Sequence, residues 1–309
     1  MTARIGLIGA RGHTGRELLR LIGGRDDMVL AYAGSREFAG KPVAGMAPEI
    51  GGDLAFEALS PEDVGARPVD AVILALPNGA AAPFVAAIPA GTVIVDLSAD
   101  YRFDDSWVYG LPEIHGREAI RHARRIANPG CYATAGQLAI APLRGRLAGP
   151  AHVFGVSGYS GAGTTPSRKN DPDALADNLM PYALMGHIHE GEMSRHLGES
   201  VRFTPHVAQF FRGIVATVHV ELAEPMDRDT LIGCFRDAYA DEPLIEVVER
   251  IPEVRDGAGN PGAVIGGFAV DESGRRAVIV SALDNLLKGA ATQAMQNLTL
   301  ALGLEELRG

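Results

Sequence analysis

Residues 3–24 read ARIGLIGARGHTGRELLRLIGG. A short apolar run ending at Ile8 passes into a turn made of Gly9, Gly12, His13, Thr14 and Gly15, and Leu18, Leu19 and Ile22 then recur at helical spacing. A glycine triplet alone marks a tight turn. Set between a strand and a helix, it marks a place where the backbone can approach a pyrophosphate that rests on free amides and on the positive end of the helix dipole. Gly9, Gly12, His13, Thr14 and Gly15 are therefore expected to hold a dinucleotide.

The next apolar run, MVLAYAG (28–34), ends without the acidic residue that would hold a ribose 2′-hydroxyl. Ser35 and Arg36 stand there instead, with Lys41 close behind, and a hydroxyl beside a guanidinium suits a 2′-phosphate. The expected cofactor is NADP. Two further runs, VDAVILALPNGAA (69–81) and GTVIVDLSADYRF (91–103), each close on a turn. Such runs, alternating with helical stretches, predict an α/β fold with a Rossmann-type, doubly wound parallel sheet. Loops at the carboxyl ends of its strands face the ligand, which makes Pro77 a cofactor contact and the 96–102 segment part of the site.

After about residue 145 the pattern changes to β-branched runs, HVFGVSG, GIVATVHVEL, GAVIGGFAVDE and RRAVIVSAL, with DESGRR as a hairpin connection. The reading is an NADP-binding domain over 1–145, completed by a helix from 285 to 309, and a second α+β domain over 146–284 for substrate and subunit contact. The 309 residues, 47% hydrophobic and 21% charged, can form both cores. A net charge of −10 without basic clusters excludes a nucleic-acid surface. No apolar run approaches a membrane span and the N-terminus lacks a signal-peptide layout, so a cytoplasmic protein acting on a small molecule is expected.

Two cysteines make no disulfide framework. Cys131 follows Asn-Pro-Gly in RIANPGCYATAGQLAIAPL (125–143) and opens an apolar, Ala-rich helix, where a thiolate would face the dipole's positive end. That is a nucleophile's position. Cys234, between Ile232 and Phe235, reads as a small packing residue. His187 and His189, in GHIHEGEM, lie in a segment with neither strand nor helix periodicity and offer the proton partner. His-x-His also suits a metal, but no third ligand motif accompanies it, so no metal is expected. His219, in an alternating strand, reads as structural.

These pieces together resemble the N-acetyl-γ-glutamyl-phosphate reductases, relatives of aspartate-semialdehyde dehydrogenase. The resemblance is carried by GLIGARGHTGREL, GSREFAGK, ALPNG, DLSADYR, IANPGCYATAGQLAIAP, GVSGYSGAG, HIHEGE, FTPHVAQFFRGI and LDNLLKGAATQAMQN, and the cysteine segment is the most discriminating of them. It implies that Cys131 attacks an acyl phosphate, that NADPH reduces the resulting thioester, and that His187 is the acid/base, with His189 and Glu192 holding or orienting the substrate. It also implies a homo-oligomer, dimer or tetramer. Arg102 and Arg212 are candidates for binding the phosphoryl group, Ser157 and Ser160 for binding oxygen atoms. Asn285 contacts the cofactor by resemblance and reads locally as the N-cap of the last helix. Ile188 stands where the family has a basic residue. The alternatives are a related reductase acting on an aspartyl or carrier-bound aminoadipyl phosphate, and a non-catalytic NADP-binding sensor.

Overall fold

The computed structural model describes residues 2–306. Two compact units divide the chain, one running to Pro129 and resuming at Ala290, the other spanning Gly130–Gly289.

The first unit holds β1 (Ala3–Ile8), β2 (Met28–Gly34), β3 (Phe56–Glu57), β4 (Ala71–Leu74), β5 (Val93–Asp96), β6 (Val108–Tyr109) and β7 (Arg125–Ala127). Their order is β3-β2-β1-β4-β5-β7-β6, and every neighbouring pair is parallel. Ile5, Leu7 and Ile73 pack on one face with Leu18, Leu19 and Ile22 of the helix His13–Gly23 and with Ala294 and Leu298 of the helix Thr292–Leu302. Ile8, Val72, Leu74 and Ile94 pack on the other with Val64 and Phe84. Cover on both faces is why these strands read as unbroken apolar runs. Each buried Leu or Ile contributes about 1.5–3 kcal/mol over an exposed one.

The second unit holds β8 (Ala151–Gly158), β9 (Leu179–Pro181), β10 (Val201–Ala208), β11 (Ile214–Glu221), β12 (Ile245–Val247), β13 (Ala263–Val270) and β14 (Arg276–Leu283), in the order β12-β13-β14-β11-β8-β10-β9. This sheet is mixed. The expected hairpin joins β13 to β14, while β8 and β10 run parallel from Ala151↔Val201 to Gly158↔Ala208 and are joined by the crossover 159–200. Along β8, Ala151 and Val153 are buried whereas His152 and Phe154 are exposed, and His219 of β11 is exposed as well, so one face of the sheet is open. His219 thus belongs to a surface and not to a core.

Two segment ends differ from the sequence reading. The helix Cys131–Ile140 packs on β11 and β14, so the second unit begins at Gly130 rather than near 146. Towards the C-terminus a π-helical turn, Leu287–Ala291, precedes the last helix, which starts at Thr292 and not at 285. No helix among the described residues is long and apolar enough to cross a membrane.

Candidate active site

In the first unit the glycines do different work. Gly9 has a φ of +86°, and a Cβ there would meet the Ala75 carbonyl oxygen at 2.1 Å; a Cβ on Gly15 would meet the Ala10 oxygen at 2.6 Å. Both let backbone pass against backbone. A Cβ on Gly12 would have only the Gly9 oxygen, 3.9 Å away, so the space over the helix start stays open. Gly12 caps the helix that begins at His13, with no side-chain cap and no acidic residue in its first turn. Amides and dipole are left to an anion from outside, as a pyrophosphate site requires. Thr14 is partly exposed in that turn, and burial, with Arg16 beside it, holds the His13 imidazole below its usual range and so neutral at pH 7.

At the end of β2 the buried Ser35 hydroxyl accepts the Phe38 amide at 3.3 Å. Arg36 is exposed and makes no ion pair or hydrogen bond among the described residues, and the neighbouring Glu37 is paired with Arg11. The only acid adjacent to Arg36 is therefore neutralised, and the residues fit a 2′-phosphate. Pro77 is exposed in the loop after β4. Asp100, inside the 96–102 segment expected at the site, accepts the Gly79 amide at 2.6 Å and the Ala81 amide at 3.2 Å, while Asn78 accepts the Ala99 amide at 2.9 Å. These bonds clasp the loops after β4 and β5 together. Burial pushes the Asp96 carboxyl up to about 6, against the Ser98 hydroxyl that donates to it at 2.5 Å. Arg102 is buried in this unit, its Nε donating to the Asn128 carbonyl at 2.9 Å and its Nη2 to the Leu97 carbonyl at 2.8 Å.

In the second unit Cys131 is the first residue of the helix Cys131–Ile140, and it is partly exposed where the nine residues after it are buried. Gly130 is the N-cap, and again no side chain caps the turn and no acid lies in it. Glu192, fully buried, accepts the Gly130 amide at 2.8 Å and so fixes the residue before the thiol. Gly289 is also required here: a Cβ on it would stand 2.7 Å from the Cys131 Cβ.

The histidine segment is not irregular, as its pattern suggested. His187 is the N-cap of a helix, Ile188–Leu197, and its Nδ1 accepts the His189 amide at 3.1 Å. The pattern hid because only Glu192, Met193 and Leu197 of this helix are buried. An Nδ1 that accepts leaves the neutral ring's proton on Nε2. Burial first, then Lys169, pushes the His187 pKa down, while Glu192 and Glu190 oppose the shift. The ring lies edge-on to His189 at 4.7 Å, to Phe203 at 5.2 Å and to Tyr182 at 5.7 Å between centroids. Burial, with the negative charge of Cys131 second, raises the Tyr182 hydroxyl pKa, so Tyr182 stays a neutral donor beside the cysteine. Tyr132 is likewise held neutral by burial, and it donates to the His206 carbonyl at 2.5 Å. Neither tyrosine was singled out in the sequence, since no spacing marks residues that a long crossover brings together.

The remaining candidates form a brace. Asn285 accepts the Gly213 amide at 2.7 Å and donates to the Ser160 hydroxyl at 2.8 Å. It caps no helix; Asp284 accepts the amides of Leu286 and Leu287 instead, at 2.8 and 3.2 Å. The buried Asp284 carboxylate also accepts the Gly259 amide at 2.6 Å and the Arg212 Nη2 at 3.2 Å, in an ion pair whose Nε–Oδ2 distance is 2.5 Å and which orients that guanidinium. Ser157 donates to the Gly158 carbonyl at 3.0 Å.

Residues 4–123 match the family described as semialdehyde dehydrogenase, NAD binding domain, and residues 131–285 the semialdehyde dehydrogenase dimerisation domain. The chain is 57% identical to the N-acetyl-gamma-glutamyl-phosphate reductase of Xanthomonas campestris pv. campestris strain B100, over 98% of this chain and 96% of that protein. With the reductase of the same name from Stenotrophomonas maltophilia it shares 57% identity over 99% and 97% of the two chains. The fold is similar to that of aspartate semialdehyde dehydrogenase II from Vibrio cholerae, with a TM-score of 0.79 at 20% identity over 98% of this chain and 99% of that one. It is similar also to the Candida albicans aspartate semialdehyde dehydrogenase solved with NADP, with a TM-score of 0.77 at 16% identity over 98% and 99%. A glycine-led dinucleotide cradle, a cysteine opening a buried helix and a full-length likeness to these reductases lead to one conclusion: the chain belongs to the N-acetyl-γ-glutamyl-phosphate reductase family of semialdehyde dehydrogenases.

Proposed function

We propose that the protein reduces N-acetyl-γ-glutamyl phosphate to N-acetylglutamate semialdehyde and phosphate with NADPH, a step of arginine biosynthesis in the cytoplasm. The observation that carries this reading is the 57% identity along nearly the whole chain, with Cys131 standing at an uncapped helix start in the same unit as the His187 cluster.

Cys131, as thiolate, attacks the γ-carbonyl carbon, and the carbon–oxygen bond to phosphate breaks, leaving a thioester and inorganic phosphate. The thioester carbon then takes the hydride that NADPH, when bound, would supply. The carbon–sulfur bond then breaks, which restores the thiolate and frees the aldehyde. His187 handles the proton: its Nδ1 is engaged by the His189 amide, which leaves Nε2–H as the donor for oxygen on which negative charge builds. Glu192 keeps Gly130 in place and thereby the thiol, and Asn285 and Ser160 hold the neighbouring turn. The glycine turn with His13 and Thr14 would take the pyrophosphate, and Ser35 and Arg36 the 2′-phosphate. A homo-oligomer built through the second unit belongs to the same reading, supported by that unit's match to a dimerisation domain and by the open face on which Phe154 is 42% exposed.

The test is phosphate-dependent oxidation of N-acetylglutamate semialdehyde with NADP, followed at the nicotinamide absorbance. Turnover is expected. Its absence, with turnover of an aspartyl or aminoadipyl semialdehyde instead, would move the substrate to a relative.

A further inference from the structure

Beside the cysteine and histidine cluster stands a cation that neither the sequence motifs nor the family likeness singled out. Lys169 lies with its Nζ 4.7 Å from the centroid of the Tyr182 ring, and Tyr182 is edge-on to His187 at 5.7 Å. Lys169 is half-buried, and among the described residues it forms no ion pair with a carboxylate and donates no hydrogen bond. The two arginines expected to receive an anion are differently placed. Arg212 is held by the buried Asp284, and Arg102 spends Nε and Nη2 on backbone carbonyls in the other unit. A lysine poised on an aromatic face, with its ammonium donors uncommitted, can take anionic oxygen at small reorganisation cost.

The loop is built to hold it there. Asn170, the next residue, donates from Nδ2 to the Gly163 carbonyl at 2.9 Å and to the Thr165 carbonyl at 2.8 Å, and its Oδ1 accepts the Ser167 amide at 2.8 Å. Asp171 then caps the short helix Pro172–Leu175 by accepting the Asp173 amide at 3.0 Å. Side-chain bonds on both sides of Lys169 fix its backbone, an arrangement that a merely solvated lysine does not need.

We propose that Lys169 binds the phosphoryl oxygens of the acyl-phosphate substrate, and inorganic phosphate in the reverse direction, an assignment that rests on the acyl-phosphate reading of the site. The same charge acts on the imidazole. The charged groups that act on His187 are Lys169, Glu192 and Glu190, with the Tyr182, His189 and Phe203 rings around it, and Lys169 is the cation that disfavours imidazolium.

The experiment compares wild type, Lys169→Met and Lys169→Arg in two measurements. The first is protection of Cys131 by inorganic phosphate against iodoacetamide, read by mass spectrometry of the Cys131 peptide, which requires no turnover. The second is the KM for phosphate and for semialdehyde in the oxidation direction. Expected are loss of phosphate protection and a phosphate KM raised about tenfold or more in Lys169→Met, an unchanged semialdehyde KM, and recovery in Lys169→Arg. Loss of Lys169 charge also moves the acid limb of the pH profile upward. Phosphate protection in Lys169→Met equal to wild type, or a rise confined to the semialdehyde KM, overturns the assignment. If wild type shows phosphate protection that Lys169→Met loses, yet does not turn over N-acetylglutamate semialdehyde, the substrate reading fails and the lysine assignment stands.

Discussion

Two helices of this protein start after a glycine with no side-chain cap and no acid in the first turn: His13–Gly23 and Cys131–Ile140. Caps are supplied elsewhere by Asp227 accepting the Thr230 amide and by the Ser60–Asp63 capping box, while Ala82–Ala87 and Thr292–Leu302 start after alanines that also lack a side-chain cap. A bare helix start costs roughly 1 kcal/mol relative to a capped one, and the two at the candidate sites share a glycine at the cap, which leaves no side chain over the first amides. Their difference is in who supplies the negative charge. Over Gly12 the space is open and the anion must come from a ligand. At Gly130 the amide is already taken by Glu192, and the helix's own first side chain brings the sulfur. One start is a receptor for a ligand's charge, the other a mount for the protein's own.

Substitutions can pull the two apart. The largest expected effect is Cys131→Ser, which should cost ~10³-fold or more in turnover while NADP affinity, measured by fluorescence titration, stays at the wild-type value. His187→Asn comes next. Asparagine can still cap the helix, so folding should hold while kcat falls about a hundredfold or more. In wild type the working form of His187 is neutral, and because its pKa is depressed by burial and Lys169, imidazolium forms only below pH 6.5. Activity should therefore persist below that pH and fall at lower values, an inflection in log kcat/KM that the asparagine variant lacks. At the other helix, Arg36→Ala should weaken NADP binding about tenfold or more and leave NAD binding and Cys131 alkylation unchanged. Equal loss for both dinucleotides would remove the 2′-phosphate assignment. The smallest effect is expected from Cys234→Ser. Cys234 is partly exposed with the Arg146 Nη1 at 3.3 Å from its sulfur, inside a helix and not at its start, so stability by thermal melt should change by no more than about 0.5 kcal/mol and turnover not at all.

The parallel sheet and both bare helix starts were legible because each is encoded in neighbouring residues: an apolar run, glycines, then helical spacing. The expected cap at Asn285 was misread: the last helix starts at Thr292 without a side-chain cap, and the turn before it is tied by the neighbouring residue. Asn285 and Asp284 are both capping types, and only the fold shows that Asp284 takes the amides while Asn285 joins Ser160 to Gly213. The His187 helix escaped because its buried set includes a glutamate, which erases the apolar stripe. Lys169, Tyr182 and Tyr132 escaped for a different reason, since the folded path of the chain and not spacing brings them together.

The parallel pairing of β8 with β10 has a consequence for how such a protein can change. Antiparallel strands could be joined by a two-residue turn, whereas parallel ones oblige the chain to travel back along the sheet before it can pair again. Residues 159–200 are that return journey, and Ser160, Lys169, Tyr182, His187 and Glu192 all ride on it. Register on either side is set by the strands, so the length and composition of the journey can drift while the sheet stays in step. A new substrate range could be reached by rewriting one connection and leaving the scaffold untouched.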